Sequence, residues 1–211
     1  ELPSDPESLV LAAPDRERLE QLHERLELRS LLRRIGPIAD SEPEQEPKPK
    51  NANYETVLTD KAFEEWMSRI ESANLVAIDT ETTSLNYMQA EIVGISLSVE
   101  TGSAAYIPVA HRYPGVPDQL NRDQVLARMK PWLESQARKV GPHLKYDAHV
   151  LKNYGIELNG IAFDSMLESF VLDSTATRHD MDSVAAKYLG IKTTKYEEVA
   201  GKGAKQLCFD E

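Results

Sequence analysis

The sequence predicts an α/β domain, a mixed β-sheet flanked by helices, preceded by a helical tail and a flexible linker. Three observations carry this. Seven of the twelve prolines fall in the first 49 residues, which sets the N-terminal part apart. From Tyr54 onward short apolar runs at strand length come first as a meander. They then alternate with stretches of helical periodicity, the order expected of a mixed sheet with helices packed on it.

Taken in order, residues 1–14 read as irregular. Residues 15–35 read as a helix, with Leu19, Leu22, Leu26 and Ile35 near helical spacing and Leu31 and Leu32 between them. Pro14 suits its first turn, Arg33 and Arg34 suit its C-terminal end, and Gly36-Pro37 stops it. Its apolar stripe has little chain around it, so 1–36 reads as the tail of a preceding domain. Residues 37–53, rich in Pro, Glu and Lys, read as a linker. A strand is expected over 54–58. A helix follows over 60–72, with Phe63, Trp66, Met67 and Ile70 on one face. Strands are expected over 75–80, 91–99 and 104–109, the last two forming a hairpin across Glu100-Thr101-Gly102. After a polar loop (110–120), a helix is expected over 121–136 and a short strand at Lys139-Val140. Helix 144–154, extended 157–163, and helices 164–173, 180–189 and 194–200 complete the chain.

Composition narrows the function classes. The 211 residues are 41% hydrophobic, enough for a packed core. The net charge of −11, from 24 Lys and Arg against 35 Asp and Glu, argues against a general nucleic-acid coat protein. It leaves room for an enzyme that holds a few phosphates locally. The one cysteine, Cys208, rules out a disulfide within the chain and a cysteine-based zinc site. No apolar run nears the roughly 20 residues needed to span a bilayer, and the N-terminus lacks the pattern of a signal peptide. A cytoplasmic protein with no membrane partner is expected.

The most informative segment is Leu75-Val76-Ala77-Ile78-Asp79-Thr80-Glu81-Thr82. Residues two apart on a strand share a face, so Asp79 and Glu81 project together. Paired carboxylates raise each other's pKa unless a cation neutralises them. A hard divalent ion with oxygen ligands is the natural counterpart. The alternative is a solvated strand end, with Thr80 and Thr82 satisfying the turn. A second segment, Val140-Gly141-Pro142-His143-Leu144-Lys145-Tyr146-Asp147, places another acid in the first turns of a helix, where the dipole alone would favour it.

Together, Asp-Thr-Glu-Thr and Leu-Lys-Tyr-Asp resemble the first two motifs of DEDD-type exonucleases. The runs Ala105–His111, Tyr154–Leu158, Ile161–Asp164, Arg178–Ser183 and Ala200–Gly203 narrow this. They resemble the 3′-5′ proofreading exonuclease region of the bacterial DNA polymerase I family, over about residues 54–211. Residues 1–36 are similar to the tail of its 5′-nuclease domain. The resemblance implies a ribonuclease H-like fold and two divalent cations, Mg²⁺ or Mn²⁺, flanking a phosphodiester. One helps generate the attacking hydroxide and the other stabilises the leaving 3′ oxygen. Asp79, Glu81 and Asp147 would be the catalytic and metal-binding acids, and nucleoside 5′-monophosphates the product.

By the same resemblance Leu85 wedges between the last two bases. His143, Tyr146, Met166, Arg178 and Tyr196 would line the site for the 3′ end of single-stranded DNA, a mixture of stacking and cationic contact suited to sequence-neutral binding. The implied setting is a monomeric, cytoplasmic, nucleoid-associated polymerase whose polymerase domain lies in the same chain. Two departures stand out. Pro142-His143 occupies a place where a polar pair is expected. The family's third motif, Tyr-x-x-x-Asp, does not occur before Glu211, so the exonuclease domain is expected to be truncated ahead of it. The rival expectations are a catalytically incomplete DNA-positioning module and a related RNA-trimming exonuclease.

Overall fold

The computed structural model describes residues 14–26, 28, 31, 53–175, 178–203 and 206–211. The chain divides into two units, Glu1–Gln45 and Glu46–Glu211, with the division inside the stretch expected to be a linker. In the first unit, helix α1 (Arg16–Arg25) is capped by Asp15, whose carboxylate accepts from the Arg18 N–H. Pro14 immediately precedes the cap, near the first turn as expected. None of the residues of α1 is buried. Arg33, Arg34, Gly36-Pro37 and linker residues 37–52 lie outside the described residues.

The second unit is built on a six-stranded sheet. Its strands are β1 (Asn53–Thr56), β2 (Val76–Thr82), β3 (Ile92–Glu100), β4 (Ser103–Pro108), β5 (Lys139–Gly141) and β6 (Ile161–Asp164). The spatial order is β1-β4-β3-β2-β5-β6. β2, β3 and β4 pair antiparallel, whereas β1 with β4, β2 with β5, and β5 with β6 pair parallel. The sheet is mixed, as the sequence predicts. Helices α2 (Asp60–Ser72), α3 (Arg122–Leu133) and α4 (Leu144–Asn153) cover it. α5 (Ser165–Leu172), α6 (Met181–Leu189) and α7 (Tyr196–Ala200) follow β6.

Each covering helix buries a stripe. Phe63, Trp66, Met67 and Ile70 of α2 meet Val125, Leu126, Met129, Trp132 and Leu133 of α3 in one core with Ile78, Ile95, Leu97 and Ile107 of the sheet. Thr59 caps α2 by accepting from the Ala62 N–H, and Asn121 does the same for α3 through the Gln124 N–H. Lys139 is fully buried. Its ammonium donates to the carbonyls of Ser135 and Ala137 and lies 4.5 Å from the Trp132 ring centroid.

Several boundaries differ from expectation. β1 begins at Asn53 and ends at Thr56. The helix expected over 121–136 ends at Leu133. Where an extended stretch is expected over 157–163, the strand is Ile161–Asp164. Before it, Gly160 takes φ +72° against the Ala137 carbonyl, a close approach that a side chain would block. The difference that matters most is at β2, which runs on to Thr82. Pairing with β3 holds through Glu81↔Gly94 and, after a bulge, Thr82↔Ile92. Both acids therefore lie within the strand.

Candidate active site

β2 alternates with a period of two. Val76, Ile78 and Thr80 are buried, while Ala77, Asp79 and Glu81 lie half-buried on the other face. The two acids share that face, as their spacing predicts.

Asp147 reaches the same strand from α4. β2 pairs with β5 only through Val76 and Ala77. Beyond that point β5 ends at Gly141, where a Cβ would stand 2.5 Å from the Ile78 carbonyl oxygen. The gap left beside β2 is filled by the Asp147 carboxylate, whose Oδ1 accepts from the Thr80 N–H (2.9 Å) and the Thr80 hydroxyl (2.6 Å). Asp147 is buried, so these bonds replace lost solvation. α4 itself is set by Asp164, whose carboxylate accepts from the N–H groups of His143, Leu144, Met166 and Leu167. One buried acid thus holds the N-termini of both α4 and α5.

The electrostatics follow from this crowding. Asp79 is pushed up to about 7 by burial first, then by the charges of Asp147 and Glu81, against a backbone hydrogen bond from Thr80. Burial, then the Asp147 charge, raises Glu81. Asp147 is raised by burial even though Thr80 and the nearby His143 oppose it. Three acids that burial, and for Asp79 and Glu81 neighbouring charge, make costly to ionise form a donor set suited to a hard cation. Among the described residues, however, no group of three or more His, Cys, Asp or Glu side chains is gathered tightly enough to hold one metal ion. The fit of a cation therefore rests on the chemistry of the donors.

The remaining predicted residues surround this centre unevenly. Leu85, just past β2, is 95% exposed. The Tyr146 hydroxyl donates to the Ser84 carbonyl at 2.5 Å and lies 2.6 Å from the Thr82 hydroxyl, so this ring braces the loop that bears Leu85. His143 sits at φ 59° at the start of α4, with its ring stacked 6.4 Å from Tyr146. Met166 lies half-buried in the first turn of α5. Tyr196 of α7 stacks on Phe209 (5.9 Å) and donates to the Leu207 carbonyl. Burial raises its pKa, with the charges of Cys208 and Glu81 adding to the effect. Arg178 is largely in solvent, and its ion pair is with Asp180 at 3.5 Å rather than with the acids.

Three further participants escaped the sequence reading. Thr80 enters the sequence analysis only through the alternative of a solvated strand end, yet it holds Asp147. Asp164 carried a signal, an acid directly before an apolar helical run. Tyr106 passes over Gly94, where a Cβ would fall 2.0 Å from its hydroxyl. That hydroxyl meets His111 Nε2 at 2.7 Å. Burial and the Glu81 charge raise the Tyr106 pKa. The His111 ring in turn lies 5.9 Å from Phe209, and Arg112 pairs with the buried Asp210 next to it.

Comparison with known proteins places this arrangement. A family model described as 3′-5′ exonuclease matches residues 54–211. The chain belongs to that family. It is 48% identical over 218 residues to a DNA polymerase I of Pseudomonas aeruginosa, an alignment covering 100% of this chain and 24% of the relative. It is 39% identical over 176 residues to a DNA polymerase I of Rhizobium leguminosarum, covering 74% of this chain and 17% of that one. The chain thus spans about a quarter or less of the length of these relatives. Among solved structures, the RNase D of Trypanosoma brucei matches with a TM-score of 0.54 at 17% identity, covering 68% of this chain and 50% of the other. That likeness shows the ribonuclease H-like fold. Its similarity to the DNA polymerase I relatives falls on this exonuclease region. No described helix is long and apolar enough to cross a membrane.

Proposed function

We propose that this region removes nucleotides from the 3′ end of single-stranded DNA by hydrolysis, with Asp79, Glu81 and Asp147 as its catalytic acids. The observation that carries the reading is the convergence of three buried or half-buried carboxylates, all with raised pKa, at one end of a central strand, in a chain of the 3′-5′ exonuclease family. Asp79 and Glu81, on one strand face, would hold divalent cations, with Asp147 approaching from α4. Bound there, Mg²⁺ or Mn²⁺ supplies the positive charge that activates water and stabilises the departing 3′ oxygen.

The rest of the work falls to the chain's own residues. Thr80 fixes the Asp147 carboxylate through two hydrogen bonds. Tyr146 braces the Leu85 loop, and Leu85 offers an exposed apolar side chain to separate the last bases. Tyr196 and His143 present ring faces for stacking, and Met166 an apolar contact. Arg178 extends into solvent, where a strand phosphate further from the acids would meet it. A trimmed end would return to a polymerase domain in the same chain, as the identity of the relatives supports.

The test is stepwise shortening of a 5′-labelled oligodeoxynucleotide, with release of 5′-mononucleotides, by the full-length protein with Mg²⁺ or Mn²⁺. The Asp79→Ala/Glu81→Ala double variant should lose this release and keep primer extension. Undiminished trimming in that variant overturns the assignment of the acids. Faster trimming of an RNA oligonucleotide than of DNA overturns the assignment of substrate.

A further inference from the structure

The loop between β2 and β3 combines two properties that seldom occur together, strong internal bonding and bare apolar tips. Leu85 is 95% exposed and Met88 69% exposed, although both are large apolar side chains. The backbone beneath them is closely tied. Thr83 and Glu91 close its base through Thr83 N–H to Glu91 C=O and Glu91 N–H to the Thr83 hydroxyl. Asn86 organises its crest. Its side-chain oxygen accepts from the Met88 N–H, and its carbonyl accepts from the N–H groups of Gln89 and Ala90.

The loop is also gripped from one side by α4. The Tyr146 hydroxyl holds the Ser84 carbonyl. The His149 ring stacks on Tyr87 with centroids 4.5 Å apart and planes at 24°. Asn153 donates to the Tyr87 carbonyl at 2.7 Å. Residues 146, 149 and 153 are spaced by three and four, so they form one face of the helix. The adjoining face of α4 carries Asp147. A single rigid helix therefore fixes the exposed tips and the buried acid relative to each other.

We propose that residues 83–91 form a rigid two-pronged apolar fork for the 3′ end of a single strand. Leu85 and Met88 are its prongs. Tyr87, His149 and Asn153 are positioning residues that register it to Asp147. The inference rests on the function proposed above and adds to it a second base-contacting side chain and the clamp that holds both. Rigidity suits the role, because a prong that is already ordered loses little conformational entropy when a base stacks on it.

The test uses the full-length protein and an oligothymidylate with one 2-aminopurine next to its 3′ end, in EDTA so that nothing is cleaved. Wild-type protein should change the 2-aminopurine fluorescence on binding. Met88→Ala and His149→Ala should each weaken binding by about tenfold, the scale of one lost stacking contact. His149→Phe, which keeps a stacking ring, should restore it. Mg²⁺ binding followed by calorimetry should be unchanged in all three variants. Because Met88 is in solvent, its variant tests the prong without risk to folding. Wild-type affinity in both Met88→Ala and His149→Ala, or no rescue by His149→Phe, overturns the fork. Wild-type protein that binds Mg²⁺ through Asp79 and Glu81 but gives no fluorescence change overturns the fork alone. Failure of both signals overturns the acid-site reading with it.

Discussion

At Asp79, burial and two neighbouring charges oppose ionisation, and the consequence is a pH dependence of stability. The unfolded carboxyl loses its proton near 3.8 and the folded one near 7. Between these values the folded state holds more protons than the unfolded state. Metal-free stability is therefore greatest at and below the lower value and falls as pH rises through the window. Glu81 and Asp147, also raised, act in the same direction. Partial solvent access reduces the effect, so the expected fall in melting temperature in EDTA is about 5 °C, at roughly 2–4 °C per kcal/mol for a domain of this size. Asp79→Asn should flatten the profile, and excess Mg²⁺ should restore the wild-type midpoint near neutrality. A wild-type midpoint that climbs between about pH 4 and pH 7 in EDTA would show that the carboxylates are not crowded.

Among the elements, the junction of β6, α4 and α5 depends on Asp164. Its carboxylate satisfies four backbone N–H groups, two on each of two helices. Loss of a helix cap costs about 0.5–2 kcal/mol, and here two caps are lost together. Asp164→Ala should destabilise the domain by about 2–3 kcal/mol in urea unfolding. It should also lower trimming activity, since α4 carries Asp147. Asp164→Asn should fall between, because an amide oxygen still accepts. Much at this scale was legible beforehand. The apolar face of α2, the hairpin of β3 and β4, and the shared face of Asp79 and Glu81 all follow from periods of 3.6 and 2. What stayed hidden was pairing across distance. Thr80 and Asp147 are 67 residues apart, and Tyr87 and His149 have no local pattern that joins them. Nor does a strand's sequence say where its neighbour will leave it, and the departure of β5 at Gly141 creates the space Asp147 occupies.

Over the whole molecule the charge is −11, and binding to a polyanion must work against it. Under the proposed function, the strand would be met by few cationic contacts, Arg178 foremost, and by apolar and aromatic surface. Affinity for oligothymidylate should accordingly depend weakly on salt. A log–log slope near −1 is expected, since each phosphate contacted in a single strand contributes about −0.7. Titrations between low and physiological salt would reveal a steeper slope if the strand were held mainly by its backbone. The net charge alone predicts poor nucleic-acid binding; under the proposed function, local apolar surface would offset it. Charge counted along a sequence averages over faces that the fold separates.

The passage of Tyr106 over Gly94 has a consequence for heredity. The hydroxyl occupies the volume where a side chain at position 94 would begin, and it is anchored there by His111. The two positions cannot drift independently. Among aligned descendants of this domain, any residue larger than glycine at 94 should coincide with a small residue at 106. In the laboratory the same linkage appears as sign reversal: Gly94→Ala should be damaging alone and tolerated in a Tyr106→Val background, measured as the coupling in a double-mutant cycle. The path by which this protein changes over generations is thus narrowed by one missing methyl group, on the strand paired directly with the one that bears Asp79 and Glu81.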